Sequence, residues 1–304
     1  MDLSAINPVL LIAALIAAST PILLAGIGEL VVERAGVLNL GVEGMMITGA
    51  ICGFIAAHAT GSASVGFLGA AVGGAGLALI FAVLSQYLLT NQVPTGLGLT
   101  LFGLGLSSLL GQDYAGIKAP TVSKIDVPLL SDIPVLGPIL FNQDPIVYLG
   151  IGMTVAVWWF LYRSRRGLIL RAVGENHEAA HALGYKVRLI RVGAIVFGGA
   201  CAGLGGSYLS LVRVPIWTDG ITAGYGWIAL AIVVFAGWRP YRLMLGAYLF
   251  GGVTVLQLNL QAANVPIPAE YLSMSPYVAT ILVLVLMSSG RAPGSLGRAF
   301  HAST

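Results

Sequence analysis

Long apolar stretches separated by short polar punctuation run through the whole chain. A bilayer hydrocarbon core of about 30 Å takes roughly 20 apolar residues of helix to cross. Nine stretches meet or approach that length: 8–26, 36–57, 65–89, 96–111, 145–162, 191–212, 224–237, 243–262 and 270–288. The pattern predicts an all-α polytopic membrane protein with about nine transmembrane helices, eight to ten at the limits. The range is open because 224–237 is short enough to be broken or re-entrant, and GIGELVVERAG ahead of the second stretch can form a half-helix. The opening MDLSAINPVLLIAALIAAST has no Lys or Arg before its apolar run. It lacks the basic n-region of a signal peptide and reads as a retained first span.

Composition narrows the class. Of 304 residues only 15 are Lys or Arg and 12 Asp or Glu, 9% charged, against about 25% in soluble domains. Mean hydropathy is +0.91. A soluble globular enzyme, a disordered chain and a nucleic-acid binder are excluded; a single transmembrane domain over 1–304 fits. Cys52 and Cys201 both lie in apolar runs, so there is no disulfide framework. With nine spans, twelve basic residues fall on one side (Arg34, Arg163, Arg165, Arg166, Arg171, Lys186, Arg188, Arg191, Arg239, Arg242, Arg291 and Arg298) and three on the other (Lys118, Lys124 and Arg213). The positive-inside rule then puts the N-terminus outside and the C-terminus inside. It makes 112–144 an extracytoplasmic loop, extended through Pro120, Pro128, Pro134 and Pro138, and 163–190 a cytoplasmic one. The pairs Gly69–Gly73 and Gly199–Gly203 are GxxxG spacings, suited to close helix packing within the subunit or to a dimer seam.

The cytoplasmic loop is the most informative segment. RSRRGLILRAVGENHEAAHALGYKVRLIR, 163–191, holds seven basic and two acidic residues. A helix of about nine residues fits Glu175–Leu183, started by Glu175 or Asn176 and ended by Gly184. Its small apolar face, Ala179, Ala180 and Leu183, suits a protein groove better than lipid. The same stretch contains His177-Glu178-Ala179-Ala180-His181, the HExxH spacing that holds Zn²⁺ in metalloproteases. A catalytic zinc needs a third protein ligand, and the other histidines, His58 and His301, belong to an outer helix end and to the tail.

Polar residues inside spans are costly and mark paths or helix ties. Asn39 and Glu43 stand four apart in the second span; Gln86 and Asn91 end the third; Gln257 and Asn259 lie in the eighth; Phe102 adds an aromatic face. These seven are the candidate substrate path, amides and aromatics suiting a neutral, hydroxyl-rich solute. Trp217, Tyr225 and Trp227 serve as path aromatics or as interfacial anchors. Glu43 holds either the path or a structural hydrogen bond to a neighbouring broken helix. Glu29, Glu33 and Arg34 form a cytoplasmic-end cluster, a gate or a local salt bridge.

Four strings together carry a resemblance. RAVGENHEAAHALGYKVRLIRVGAIVFGGACAGLGG, ERAGVLNLGVEGMMITGA, VPLLSDIPVLGPILFNQDPIVYLG and RAPGSLGRAF resemble the permease subunits of ATP-binding-cassette importers for sugars, nucleosides and branched-chain amino acids, in order from residue 33 to 300. They are most similar to the nucleoside and simple-sugar branch. The resemblance implies a non-enzymatic permease without cofactor in a bacterial cytoplasmic (inner) membrane. It implies two ABC ATPase subunits, a second permease subunit, and an extracytoplasmic substrate-binding protein as partners. It makes the 175–184 helix the coupling helix, with Glu175, Glu178, Ala179, Ala180 and Gly184 at the ATPase. His177 and His181 depart from the family's usual proline and arginine. No Gly-Lys dipeptide occurs, so the chain has no P-loop of its own. The alternatives are an intramembrane zinc metalloprotease built on HEAAH and a stand-alone secondary transporter.

Overall fold

The computed structural model describes residues 8–120, 122–125, 131, 133–263, 267–287 and 292–301. These residues form helices and no strand; two isolated bridges, Ala115 with Trp217 and Lys118 with Ile216, tie two loops together. The helices are α1 Pro8–Arg34, α2 Val42–Thr60, α3 Ala63–Ala82, α4 Gln92–Gly111, α5 Pro145–Arg163, α6 Arg165–Glu175, α7 His177–Ala182, α8 Val187–Tyr208, α9 Tyr225–Phe235, α10 Pro240–Ala262 and α11 Ala269–Met287. π-helical turns extend α3 through Val83–Tyr87 and α8 through Leu209–Arg213.

A helix occupies each of the nine predicted segments. Among the described residues seven are long and apolar enough to cross a membrane: α1, α2, α3, α4, α5, α8 and α10. At 1.5 Å per residue, α9 is only about 16 Å long, half of a bilayer core. The second prediction to change is the first boundary. α1 does not stop at 26 but runs to Arg34, so GIGELVVERAG is its last two turns rather than a separate half-helix. It stops there because Gly36 takes a left-handed φ of +83°. The Gly36 N–H donates to Glu33 O at 2.9 Å and that of Val37 to Val32 O at 3.3 Å, which closes the helix end. Asn39 therefore lies in a non-helical connection and shares no helix face with Glu43.

α8 is the centre of the bundle, flanked by α1, α2 and α3; α10 packs on α1 and carries α11, while α4 rides on α2. Lipid supplies no hydrophobic force between helices, so small residues set the approach. Both GxxxG pairs are used inside the chain. Gly199 and Gly203 lie on Ala78, Gly74 and Ala70 of α3, and Gly69 and Gly73 on Ala56 and Cys52 of α2. The α2–α4 crossing is tightest at Gly44 and Gly103, where a Cβ on Gly103 would stand 2.6 Å from Gly44 O. Two helical turns of α4 face open space instead: a Cβ on Gly98 or Gly105 meets nothing within 4 Å.

This contrast gives a test within one helix. Gly103→Val should lower the thermal unfolding midpoint in detergent, by the equivalent of about 1–3 kcal/mol for an overpacked contact. Gly105→Val should leave it nearly unchanged.

Candidate functional site

The segment between α5 and α8 folds into a knob at the basic end of the bundle. Ser164 starts α6, its Oγ accepting from the Gly167 N–H at 2.9 Å. α6 ends at Glu175, because Asn176 turns to an extended φ of −149° and caps the next helix, its Oδ1 accepting from the Ala179 N–H at 2.9 Å. The predicted helix over Glu175–Leu183 is therefore α7, started by Asn176 as one of the two expected starts, while Glu175 ends α6 instead. Gly184, at φ +86°, ends α7 as expected. Its N–H donates to His181 O at 2.8 Å, and that of Tyr185 to Ala180 O at 3.1 Å, the same closure that ends α1.

α7 has two faces. Ala180 and His177 turn inward, 3% and 7% exposed; Ala180 packs with Val173, Val187 and Phe300. Glu175, Glu178, Ala179, His181, Leu183 and Gly184 are exposed, with Leu183 at the tip 77% open. Of the five predicted coupling residues, four are therefore presented outward and Ala180 is part of the knob's own core.

The tail laces this core together. Ser295 N–H donates to Gly174 O at 2.8 Å, and His177 N–H to Ser295 Oγ at 3.1 Å. Phe300 stands edge-on to both His177 and His181, at 5.5 and 5.2 Å between ring centroids. Beneath them Arg191 is fully buried. Its guanidinium donates to Ala35 O at 3.2 Å and Arg298 O at 3.0 Å, and meets His177 Nδ1 at 3.1 Å. One cation thus joins the α1–α2 connection, the tail and α7. Sequence reasoning missed it; the signal was an arginine in an apolar helix, which needs a full set of acceptors.

The same geometry answers the zinc reading. A guanidinium sits on Nδ1 of His177, the two imidazoles pack on Phe300, and among the described residues no three His, Cys, Asp or Glu side chains converge to hold a metal. The residues present do not fit a catalytic zinc.

The candidate path residues do not form one cluster. Asn39 is fully buried; its amide donates to Glu29 Oε2 at 3.4 Å and its Oδ1 accepts from Gly41 N–H at 2.9 Å. Glu43 is 3% exposed and caps α9, accepting from Thr222 Oγ1 at 2.8 Å and from Gly226 N–H at 2.7 Å. Gln86, also buried, donates to Ser85 Oγ at 3.1 Å. Asn91 is exposed and caps α4 through Val93 N–H at 3.1 Å. Phe102 is 52% exposed on the outer face of α4. Gln257 and Asn259 are half-buried, the former 3.5 Å from Ser273 Oγ and the latter donating to Val255 O at 2.8 Å. Trp217 is 2% exposed and packs in the core with Phe54, Ala57 and Tyr208. The predicted Glu29–Glu33–Arg34 cluster contains no salt bridge. Glu33 accepts from Trp238 Nε1, and Arg34 donates to Trp238 O at 2.9 and 3.0 Å.

A multi-helix membrane bundle with a short helix thrust out at its basic end is a transport architecture. The fold matches that of a provisionally assigned metal-chelate type ABC transporter solved in an inward-facing conformation, with TM-score 0.50 and 17% identity over 95% of this chain and 88% of that one. The chain belongs to the family described as branched-chain amino acid transport system / permease component, whose pattern matches residues 11–287. It is 40% identical over 296 residues, 90% of either chain, to a provisionally named glucose ABC transporter permease protein of Haloferax volcanii. It is 33% identical to a nucleoside ABC transporter permease protein of Lactococcus lactis, covering 91% of this chain and 92% of that one. A guanosine ABC transporter permease protein of Bacillus subtilis is 32% identical over 98% of this chain and 95% of its own.

The knob's packing has a pH consequence. Burial, and then the Arg191 guanidinium, push the His177 imidazolium below its ordinary range; Arg298 and His301 add to this and Glu178 opposes it. A depressed folded value means the neutral ring stabilises the knob above the unfolded pKa of about 6.5, and that contribution fades as pH falls through the folded value. The protection factors of amides in 292–301 and α7, that is, exchange corrected for its intrinsic pH dependence, should therefore fall between pH 8 and 5.5, and His177→Ala should flatten that fall.

Proposed function

We propose that this permease is the membrane-spanning subunit of an ATP-driven importer for nucleosides or related simple sugars. It has no ATPase of its own and takes its energy from ABC ATPase subunits docked on the exposed face of α7: Glu175, Glu178, Ala179, Leu183 and Gly184. The single observation that carries this reading is the knob. A short helix with an outward Ala179 and Leu183 is held rigidly over the basic end of the bundle by Arg191, Phe300 and Ser295.

In this reading the nine segments give the chain an outside N-terminus and an inside C-terminus in a bacterial cytoplasmic membrane. A second permease subunit completes the path, and an extracytoplasmic binding protein delivers cargo at 112–144. The nucleoside or sugar class rests on what the relatives are named for. Asn39, Glu43 and Gln86 are spent on internal hydrogen bonds, so cargo contact falls to Asn91, Phe102, Gln257 and Asn259. ATP binding draws the two docked subunits together, the knobs move with them, and the path changes its side of access.

The test is Ala179→Trp. Ala179 is exposed, so the fold and thermal midpoint should stay as they are, while the ATPase co-purifying from native membranes should drop at least about tenfold, the scale of a central interface residue. Uptake of labelled guanosine or glucose should fall with it. Full uptake with Ala179→Trp would overturn the docking assignment, and ATP-independent uptake would overturn the importer class.

A further inference from the structure

A groove of about 610 Å³ opens between α1, α5, α6 and α8, and among the described residues no element fills it. Its walls are Val31, Met153, Val157, Ala194, Phe197 and further apolar residues; its only polar side chains, Arg166 and Tyr185, come from the first turn of α6 and the turn before α8. From Leu189 to Phe197 it follows α8 for about 12 Å, most of the ~15 Å of hydrocarbon in one leaflet. A sugar or nucleoside would leave its hydroxyls unpaired on such walls. A hydrocarbon chain would not.

The mouth is cationic in an unfavourable way. Arg163, Arg165 and Arg166 are exposed around the start of α6, and among the described residues none has a carboxylate partner. Arg165 and Arg166 stand in the first helical turn, where the peptide dipoles already present partial positive charge. An anion there relieves both repulsions, and arginine suits phosphate oxygens.

We propose that this groove is a binding site for an anionic phospholipid of the leaflet at the basic end. One acyl chain lies between α5 and α8, and the phosphate is held at Arg166 with Arg163 and Arg165 beside it. The site does not depend on which cargo the permease carries. It gives the α6 base of the knob a lipid ligand.

The experiment uses the full chain in vesicles carrying trace phosphatidylglycerol or phosphatidylcholine with a photoactivatable group in the acyl chain. Phosphatidylglycerol should label peptides containing Met153–Phe160 and Leu189–Phe197 several-fold more than phosphatidylcholine. Arg166→Ala should cut that labelling about fivefold, the worth of one basic residue at a charged membrane surface, and Arg166→Lys should keep most of it. A Cβ on Gly193 meets nothing within 4 Å, so Gly193→Leu should fill the groove and exclude the chain without disturbing the backbone. Because Arg166 is exposed, its variants stand even where the groove variant fails to fold. Equal labelling by the two lipids and indifference to Arg166→Ala would overturn the proposal. So would cross-linking of a partner polypeptide across the groove in place of lipid.

Discussion

Inside hydrocarbon no water pairs with a freed backbone group, so every interruption of a helix must be closed by the protein itself. This bundle interrupts its helices at three places near the membrane and spends its costly buried side chains there. Asn39 closes the α1–α2 connection through Glu29 and Gly41. Glu43 caps the half-length α9 through Thr222 and Gly226. At the α9–α10 turn, Trp238 sits at a left-handed φ of +55°, a conformation that costs a bulky residue of order 1–3 kcal/mol. It is held on one side by Glu33 and on the other by Arg34. Glu29, Glu33 and Arg34 come from the last two turns of α1, which explains why that helix runs on past its apolar stretch. α1 positions the α1–α2 and α9–α10 turns, and α2, through Glu43, positions the start of α9.

Arg191 extends the same logic to the knob at the basic end. Its guanidinium reaches Ala35, one residue beyond α1, as well as His177 in α7 and Arg298 in the tail. A displacement of α7 therefore reaches the end of α1 through one rigid side chain rather than through a flexible loop. α1 in turn holds Trp238 and, through Asn39, the entry to α2. The elements that would have to move together in transport are joined by polar contacts that cannot slip a little: a hydrogen bond to a buried guanidinium is kept or lost. Small shifts at such a site become discrete rearrangements.

Much of this was legible in the sequence, for a physical reason. Crossing a bilayer fixes helix length and composition, so apolar runs locate helices in the predicted segments, seven of which, among the described residues, are long and apolar enough to cross. Gly184 reads as a stop for α7 because only glycine adopts φ > 0 freely, and Glu43 reads as either path or helix tie. Asn176 was legible as one of two starts for α7; that Glu175 instead ends a separate α6 was not, because a residue can continue one helix or close another. Nor was the role of Phe300 and Ser295, since contacts across more than a hundred residues leave no periodic trace. HEAAH shows the same limit from the other side. The spacing of two histidines on a helix is a local property, but their chemistry belongs to the neighbours, here a guanidinium and a phenyl ring in place of a third ligand.

The distribution of polar groups also bears on how a permease of this kind stays both rigid and permissive. Asn39, Glu43 and Gln86 are enclosed, and a solute reaching Asn39 or Glu43 would displace the Gly41 or Gly226 N–H, freeing a backbone donor, while reaching Gln86 would displace the Ser85 hydroxyl. Asn91 and Phe102, by contrast, are open to the surroundings at and along α4, whose Gly98 and Gly105 leave a smooth face beside them. A surface with few directional groups offers weak, repeated contacts, and weak contacts at several places are what a moving solute needs in order to leave as readily as it enters. The strongest polar bonds in the chain hold helices to one another, and the proposed path is left to the groups that hold least.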